Sequence, residues 1–139
     1  MNADLSVSLI NRGSEIARVH TLTVGFCHQH GVPQPVINVM GLVLEELLTN
    51  LLSHGYTDEA EHAIALRVRL NEAELELELE DDGRPFNPLE FPPPDVTLPL
   101  DQRPLGGLGV HLVRRMMDGM EYRRIGDRNV LRLRKRLTP

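Results

Sequence analysis

The sequence of 139 residues has no tryptophan, two tyrosines, three phenylalanines and a single cysteine. One cysteine, Cys27, excludes an internal disulfide framework and favours a reducing compartment. The six histidines are scattered, without a spacing typical of a metal site. Uninterrupted apolar runs are too short to span a membrane, and the N-terminus lacks a signal-peptide pattern. We therefore expect a cytoplasmic protein with no membrane partner.

Lysine is almost absent, since Lys135 is the only one among 15 basic residues. The formal net charge is −5, which argues against general nucleic-acid binding, so we expect no direct nucleic-acid partner. The hydrophobic content of 41% and the chain length suit one globular domain with a real core. We therefore expect residues 1–139 to form a single domain.

Strands and helices are partly segregated along the chain, which predicts an α/β (α+β) two-layer sandwich. In this fold a mixed, mostly antiparallel sheet is covered by helices on one face. The predicted strands cover residues 5–10, 62–70, 74–81, 121–125 and 129–137, and the predicted helices cover residues 14–30, 35–56 and 108–120. Ser14 is a plausible N-cap of the first helix, and Gly31 is its stop signal.

The stretch Glu74–Glu80 alternates acid and leucine without a break, and it ends in Asp81, Asp82 and Gly83. Side chains on a strand point to opposite faces with period two, so Asp81 falls on the leucine face. A carboxylate in register with buried leucines is expensive to desolvate unless something pairs with it. Alternatively, the strand ends at Glu80 and Asp81 only begins a turn.

A polar line crosses the apolar second helix. Glu46, Asn50 and His54 are spaced four and four, so they share one side of that helix. An amide oxygen beside a carboxylate suits Mg²⁺, which prefers hard oxygen ligands. The alternative is an exposed helix edge with no ligand.

The segment from Pro85 to Pro104 holds seven prolines, which excludes regular structure and indicates a long functional loop. A glycine cluster follows, with Gly106, Gly107 and Gly109 at the start of the third helix. Free N–H groups and the positive end of the helix dipole make such a start a ready phosphate site. The cluster lacks the Lys-Ser/Thr pair of a Walker loop.

Taken in order, Glu-x-x-x-Asn, Asp-x-Gly and Gly-x-Gly resemble the ATP-binding (GHKL) domain shared by gyrase, histidine kinases and related ATPases. "EELLTNLLSHGY", "DDGRPFNP" and "GGLGVHLVRRMMD" look like the three nucleotide boxes of the anti-sigma-factor serine kinases of bacterial partner-switching systems. The resemblance implies a Bergerat-type ATP-binding fold with a proline-rich lid at about residues 85–105. It covers nearly the whole chain and is weakest over the first 30 residues.

The resemblance also implies roles for single residues. Glu46 matches a general base or water-orienting carboxylate, Asn50 an Mg²⁺ ligand, and Asp81 the carboxylate that reads the adenine amino group. Gly83 lets the base approach the strand end. The other residues expected to contact ATP or ADP are His54, Phe86, Gly106, Gly107, Leu108 and Gly109.

The implied function is an ATP-dependent protein serine/threonine kinase and anti-sigma regulatory factor. Its implied substrate is an anti-anti-sigma antagonist protein of the STAS type, its second partner a sigma factor, and its assembly a homodimer. Two alternatives remain open at this point. One is a nucleotide-gated protein-binding module without kinase activity, and the other is a domain whose motifs have decayed and bind no nucleotide.

Overall fold

The computed structural model of the protein describes residues 2–90, 97 and 107–138. Five strands form one sheet in the order β1-β2-β3-β5-β4, and all four pairings are antiparallel. The prediction of a mostly antiparallel sheet in an α+β fold is confirmed. The strands are β1 (Ala3–Ile10), β2 (Ala63–Leu70), β3 (Glu74–Asp81), β4 (Gly119–Ile125) and β5 (Arg128–Arg136), and the helices are α1 (Ser14–Gln29), α2 (Gln34–His54) and α3 (Gly107–Met116), with a short 3-10 turn at Pro88–Glu90.

The alternation in β3 separates a buried face of the sheet from an open one. Leu75, Leu77 and Leu79 are at most 3% exposed and pack in the core shared with the helices. The glutamates of β3 lie on the open face, where arginines of neighbouring strands pair with Glu76, Glu78 and Glu80. Arg132 of β5 lies 2.9 Å from both Glu76 and Glu78. The leucines of this pattern therefore pack in the core, and its glutamates form ion pairs on the open face.

Helix α2 is the most apolar element among the described residues. It is long and apolar enough to cross a membrane by length and composition alone. Eight of its residues are buried in the core, among them Val43, Leu44 and Leu48. A buried central helix accounts for this composition without a membrane.

Helix boundaries follow the predictions with two corrections. Gly31 has a positive φ of 72°, which ends α1 as predicted. Ser14 is not the N-cap: Gly13 takes that position, and no side chain caps the helix. Helix α3 ends at Met116, four residues earlier than predicted, because residues from Gly119 onward pair with β5 as part of β4.

A polar cluster fixes the connection between α2 and β2 to the end of β3. His62 lies between two carboxylates: its Nε2 is 2.7 Å from Asp58, and its Nδ1 is 3.1 Å from Asp82. The ring of Tyr56 stacks on the imidazole, with 4.3 Å between ring centroids. Hydrogen bonds to Asp58 and Asp82 raise the pKa of His62, and the bond to His62 lowers the pKa of Asp58.

We expect this cluster to make stability depend on pH. The pKa of His62 is raised in the folded state, so protonated His62 stabilises the folded state. This stabilisation is fully present below about pH 6.5, the ordinary histidine pKa, and is lost as pH rises through the folded pKa. His62→Gln should therefore lower the urea midpoint more at pH 6 than at pH 9. Chemical denaturation at both pH values measures this, with Glu59→Gln as an exposed control. An equal loss at both pH values would show that the imidazole charge plays no part.

Candidate functional site

A small cavity opens where the C-terminal half of α2 meets the ends of β3 and β5. Its free volume is about 40 Å³. Most of the wall is apolar, with a few polar groups that converge on it. The lining residues are Leu47, Asn50, Leu51, Gly55, Leu79, Asp81, Arg84, Phe86, Pro88, Val110, Tyr122, Asn129 and Leu131.

Asp81 provides the buried carboxylate of this cavity. It is the last residue of β3 and is 6% exposed, so it lies on the leucine face as the alternation predicts. The alternative, in which the strand ends at Glu80, is wrong. Burial raises the pKa of Asp81, and hydrogen bonds from Asn129 and Gly83 oppose this rise because they stabilise the charged form.

Asn129 is a site residue that our sequence analysis missed. It lies directly opposite Asp81 in the β3–β5 register and is 4% exposed. Its amide nitrogen donates to Oδ1 of Asp81 at 2.9 Å. Its amide oxygen accepts from the hydroxyl of Tyr122 and from Arg124. A signal was present, since Asn129 alternates with the buried residues Leu131 and Leu133 just as Asp81 alternates with the leucines of β3.

Gly83 lies where only a glycine fits. Its N–H donates to Oδ1 of Asp81 at 2.9 Å. A Cβ built on Gly83 would stand 2.7 Å from the carbonyl oxygen of Gly55 and 3.0 Å from Asp81. The next residue, Arg84, donates its backbone N–H to the same Gly55 carbonyl at 2.8 Å. The end of α2 and the turn after β3 therefore touch backbone to backbone beside the cavity.

The polar line on α2 meets the start of α3. A Cβ built on Gly109 would overlap Oε2 of Glu46 and stand 3.8 Å from Nδ2 of Asn50. The structure thus brings the first and third predicted motifs together. The amide nitrogen of Asn50 is buried and has no hydrogen-bond partner in the described part of the chain, so this donor has bonding capacity left for a ligand.

The other predicted site residues have different outcomes. Phe86 lines the cavity. Gly107 and Leu108 form the first turn of α3, as a phosphate site at a helix start requires. His54 is the last residue of α2 but does not line the described cavity wall. Gly106 and most of the predicted lid lie outside the described residues.

A match over most of the chain shows its family. Residues 12–135 match the model of the histidine kinase-like ATPase domain. The chain belongs to the histidine kinase-like ATPase family. Membership implies that the ligand of this domain is ATP or its product ADP, in agreement with the three motifs around the cavity.

Two similar proteins carry the names of protein kinases. The chain is 32% identical over 98 residues to the serine/threonine-protein kinase BtrW of Bordetella bronchiseptica, covering 70% of this chain and 69% of that protein. It is 26% identical over 110 residues to the serine-protein kinase RsbW of Bacillus thuringiensis, covering 76% and 68%. These relatives confirm the resemblance that the three motifs indicated, and the enzyme class predicted for the chain is the class of these relatives.

A solved structure supports the fold. The crystal structure of the RsbU and RsbW domains of a Mycobacterium tuberculosis protein contains a region that superposes on this chain with a TM-score of 0.65 at 13% sequence identity. The match covers 96% of this chain and 32% of that chain, so this ATPase domain spans about a third of the protein it resembles. At this identity the likeness concerns the fold alone, and it confirms the two-layer α+β architecture.

Two glycines of the site should respond differently to the same substitution. Gly83→Ala drives a methyl group into the Gly55 carbonyl, which is backbone, so we expect a loss of about 1–3 kcal/mol in unfolding free energy. Gly109→Ala meets only the carboxylate of Glu46, which can swing away, so stability should stay close to wild type. Urea denaturation of both variants tests this. Equal destabilisation would mean that the Gly55 contact does not restrict the turn.

Proposed function

We propose that this domain binds Mg²⁺-ATP in the cavity and transfers the γ-phosphoryl group to a serine or threonine hydroxyl of a small partner protein. The observation that carries the proposal is the convergence of Asp81 and Asn50 on one cavity, with the Glu46–Gly109 contact next to Asn50. These groups come from three elements that are remote in sequence, and each matches a different part of a nucleotide. The kinase names of the relatives support the choice of phosphoryl transfer.

Asp81 is the group that would recognise the base. Its Oδ1 accepts two hydrogen bonds from the protein, from the N–H of Gly83 and the amide of Asn129. The carboxylate lines a mostly apolar slot whose wall includes Leu79 and Leu131. A carboxylate in such a slot suits the exocyclic amino group of adenine, which donates a hydrogen bond, and rejects a carbonyl at the same position.

The residues on α2 fit a metal-bound triphosphate. Asn50 lines the cavity, and Glu46, one turn earlier on α2, lies against the glycine-containing start of α3. Asn50 would hold Mg²⁺ through its amide oxygen, since this ion takes few protein ligands and the rest from phosphate and water. When bound, the ion neutralises charge on the phosphates. The N–H groups at the start of α3 would receive phosphate oxygens.

Glu46 would act as the general base. The hydroxyl oxygen of the substrate forms a new bond to the γ-phosphorus, the bond from this phosphorus to the β–γ bridging oxygen breaks, and ADP leaves. Glu46 takes the hydroxyl proton or orients the group that takes it. Most of the rate enhancement would come from positioning and charge neutralisation rather than from covalent chemistry.

The partner would be a small antagonist protein of the anti-anti-sigma type, with a sigma factor as the sequestered protein. This part rests on the likeness to the anti-sigma serine kinases, and the RsbW relative supports it. Homodimerisation and a cytoplasmic location belong to the same proposal. The decisive experiment mixes the protein with radiolabelled ATP, Mg²⁺ and the antagonist encoded nearby. Label on a serine of the antagonist supports kinase activity, and nucleotide binding without transfer supports a nucleotide-gated binding module instead.

Glu46 and Asn50 lie one helical turn apart, but substitutions at the two positions should affect nucleotide binding and phosphoryl transfer differently. Glu46→Gln keeps the side-chain shape and removes the charge, so nucleotide affinity should stay nearly intact while transfer falls by about 10²–10⁴. Asn50→Ala removes the metal ligand, so nucleotide affinity in Mg²⁺ and transfer should both fall. A phosphotransfer time course beside a nucleotide titration measures both properties.

Glu45→Gln is the matched control, because Glu45 is the exposed neighbour on the same helix. Transfer by Glu46→Gln at the wild-type rate would remove Glu46 from the role of base. Loss of nucleotide binding by Glu46→Gln would show that Glu46 maintains the structure of the site instead of acting as a base.

A further inference from the structure

Asn129 holds the Asp81 carboxylate in one orientation from the opposite strand. The two residues form a register pair of β3 and β5, and the amide nitrogen of Asn129 lies 2.9 Å from Oδ1 of Asp81. Both side chains are almost fully buried, so solvent does not replace this bond. No other described residue hydrogen-bonds the second carboxylate oxygen, Oδ2, while Oδ1 is occupied twice.

The orientation of the Asn129 amide is itself fixed by its neighbours. Its oxygen accepts from the Tyr122 hydroxyl and from Nη1 of Arg124 at 3.1 Å, and the guanidinium of Arg124 can only donate. Its nitrogen faces acceptors only: Asp81, the carbonyl of Gly83 at 3.3 Å and the carbonyl of Arg84 at 2.9 Å. A flipped amide would place donor against donor and acceptor against acceptor. The nitrogen must therefore point at Asp81.

We propose that Asn129 is a positioning residue that sets the base specificity of this pocket by occupying Oδ1 of Asp81 and leaving Oδ2 as the acceptor for the base. The inference rests on the proposed nucleotide-binding function. An amide suits this task because it donates a hydrogen bond without bringing a positive charge that would compete with the ligand for the carboxylate. Asn129 acts through Asp81, and its own polar atoms are already engaged.

The same cluster ties the pocket wall to the sheet. Arg124 donates to the Gly83 carbonyl at 2.7 Å, and the Tyr122 hydroxyl accepts from the backbone N–H of Phe86 at 3.3 Å. The turn that carries the wall residues Arg84 and Phe86 is thus anchored to the β4–β5 hairpin. Loss of the Asn129 amide removes the central member of this cluster and frees the carboxylate to rotate.

Two variants test the positioning role. Asn129→Asp keeps the side-chain shape but replaces the amide donor by a second carboxylate. This carboxylate cannot donate to Asp81 and competes with it for any hydrogen-bond donor. Asn129→Ala removes the donor and the shape together. Arg128→Gln is the control, because Arg128 is the neighbour on β5 and its Nε pairs with Glu80 on the open face at 2.8 Å. Calorimetric titration of each protein with ADP and with GDP, in Mg²⁺, gives the ratio of the two affinities.

We expect both Asn129 variants to lose about 10–100-fold of the preference for ADP over GDP, mainly through weaker ADP binding, while the control keeps the wild-type ratio. Thermal unfolding of each ligand-free variant shows that the titrated protein is folded. If an Asn129 variant is unfolded, Tyr122→Phe, which removes one donor to the Asn129 amide oxygen, should lower the same ratio by a smaller factor.

An unchanged ratio in the folded variants would overturn the role of Asn129, and so would an equal fall in both affinities, which indicates general damage to the pocket. These results differ from a failure of the proposed function itself. In that case the wild-type protein would bind neither ADP nor GDP.

Discussion

The burial of the Asp81 carboxylate at the end of β3 is the constraint on which the site depends. Taking a carboxylate out of water is costly, and desolvation accordingly raises its pKa. Two protein donors offset part of this cost. One donor is the backbone N–H of Gly83, which bonds back to Asp81, and the other is Asn129, directly opposite Asp81 on β5. A site that keeps such a group buried and half-satisfied suits a ligand that supplies the missing donor.

The fold follows from the same alternation that buries Asp81. The leucines of β3 anchor the core beneath α2, and the glutamates of β3 pair with arginines on the open face of the sheet. The apolar α2 then carries Glu46 and Asn50 along one edge, where the start of α3 reaches them at Gly109. Sheet, central helix and glycine-rich helix start thus converge on one cavity, because each element has a buried face that must pack on the others.

Much of this arrangement could be predicted from local pattern alone. Period-two alternation predicted the buried side of Asp81, and four-residue spacing predicted the shared side of Glu46 and Asn50. The role of Asn129 escaped prediction because it depends on strand register, and the contact of Gly83 with Gly55 escaped because it joins backbones 28 positions apart in sequence. Helix α3 was predicted too long because pairing with β5 outweighs the helical pattern near Gly119. A local pattern can indicate that a residue such as Asn129 is buried, but not which residue of another strand it meets.

The most direct test of the central role of Asp81 is a calorimetric titration of Asp81→Asn with ADP and Mg²⁺, beside the wild-type protein. The amide oxygen of the variant can still accept from Gly83 and Asn129, and its NH₂ group would face the adenine amino group, donor against donor. We expect the variant to lose ADP binding while its unfolding midpoint is unchanged or higher, because a desolvated carboxylate has been removed. Wild-type ADP affinity in Asp81→Asn would contradict the assignment of Asp81 as the group that recognises the base.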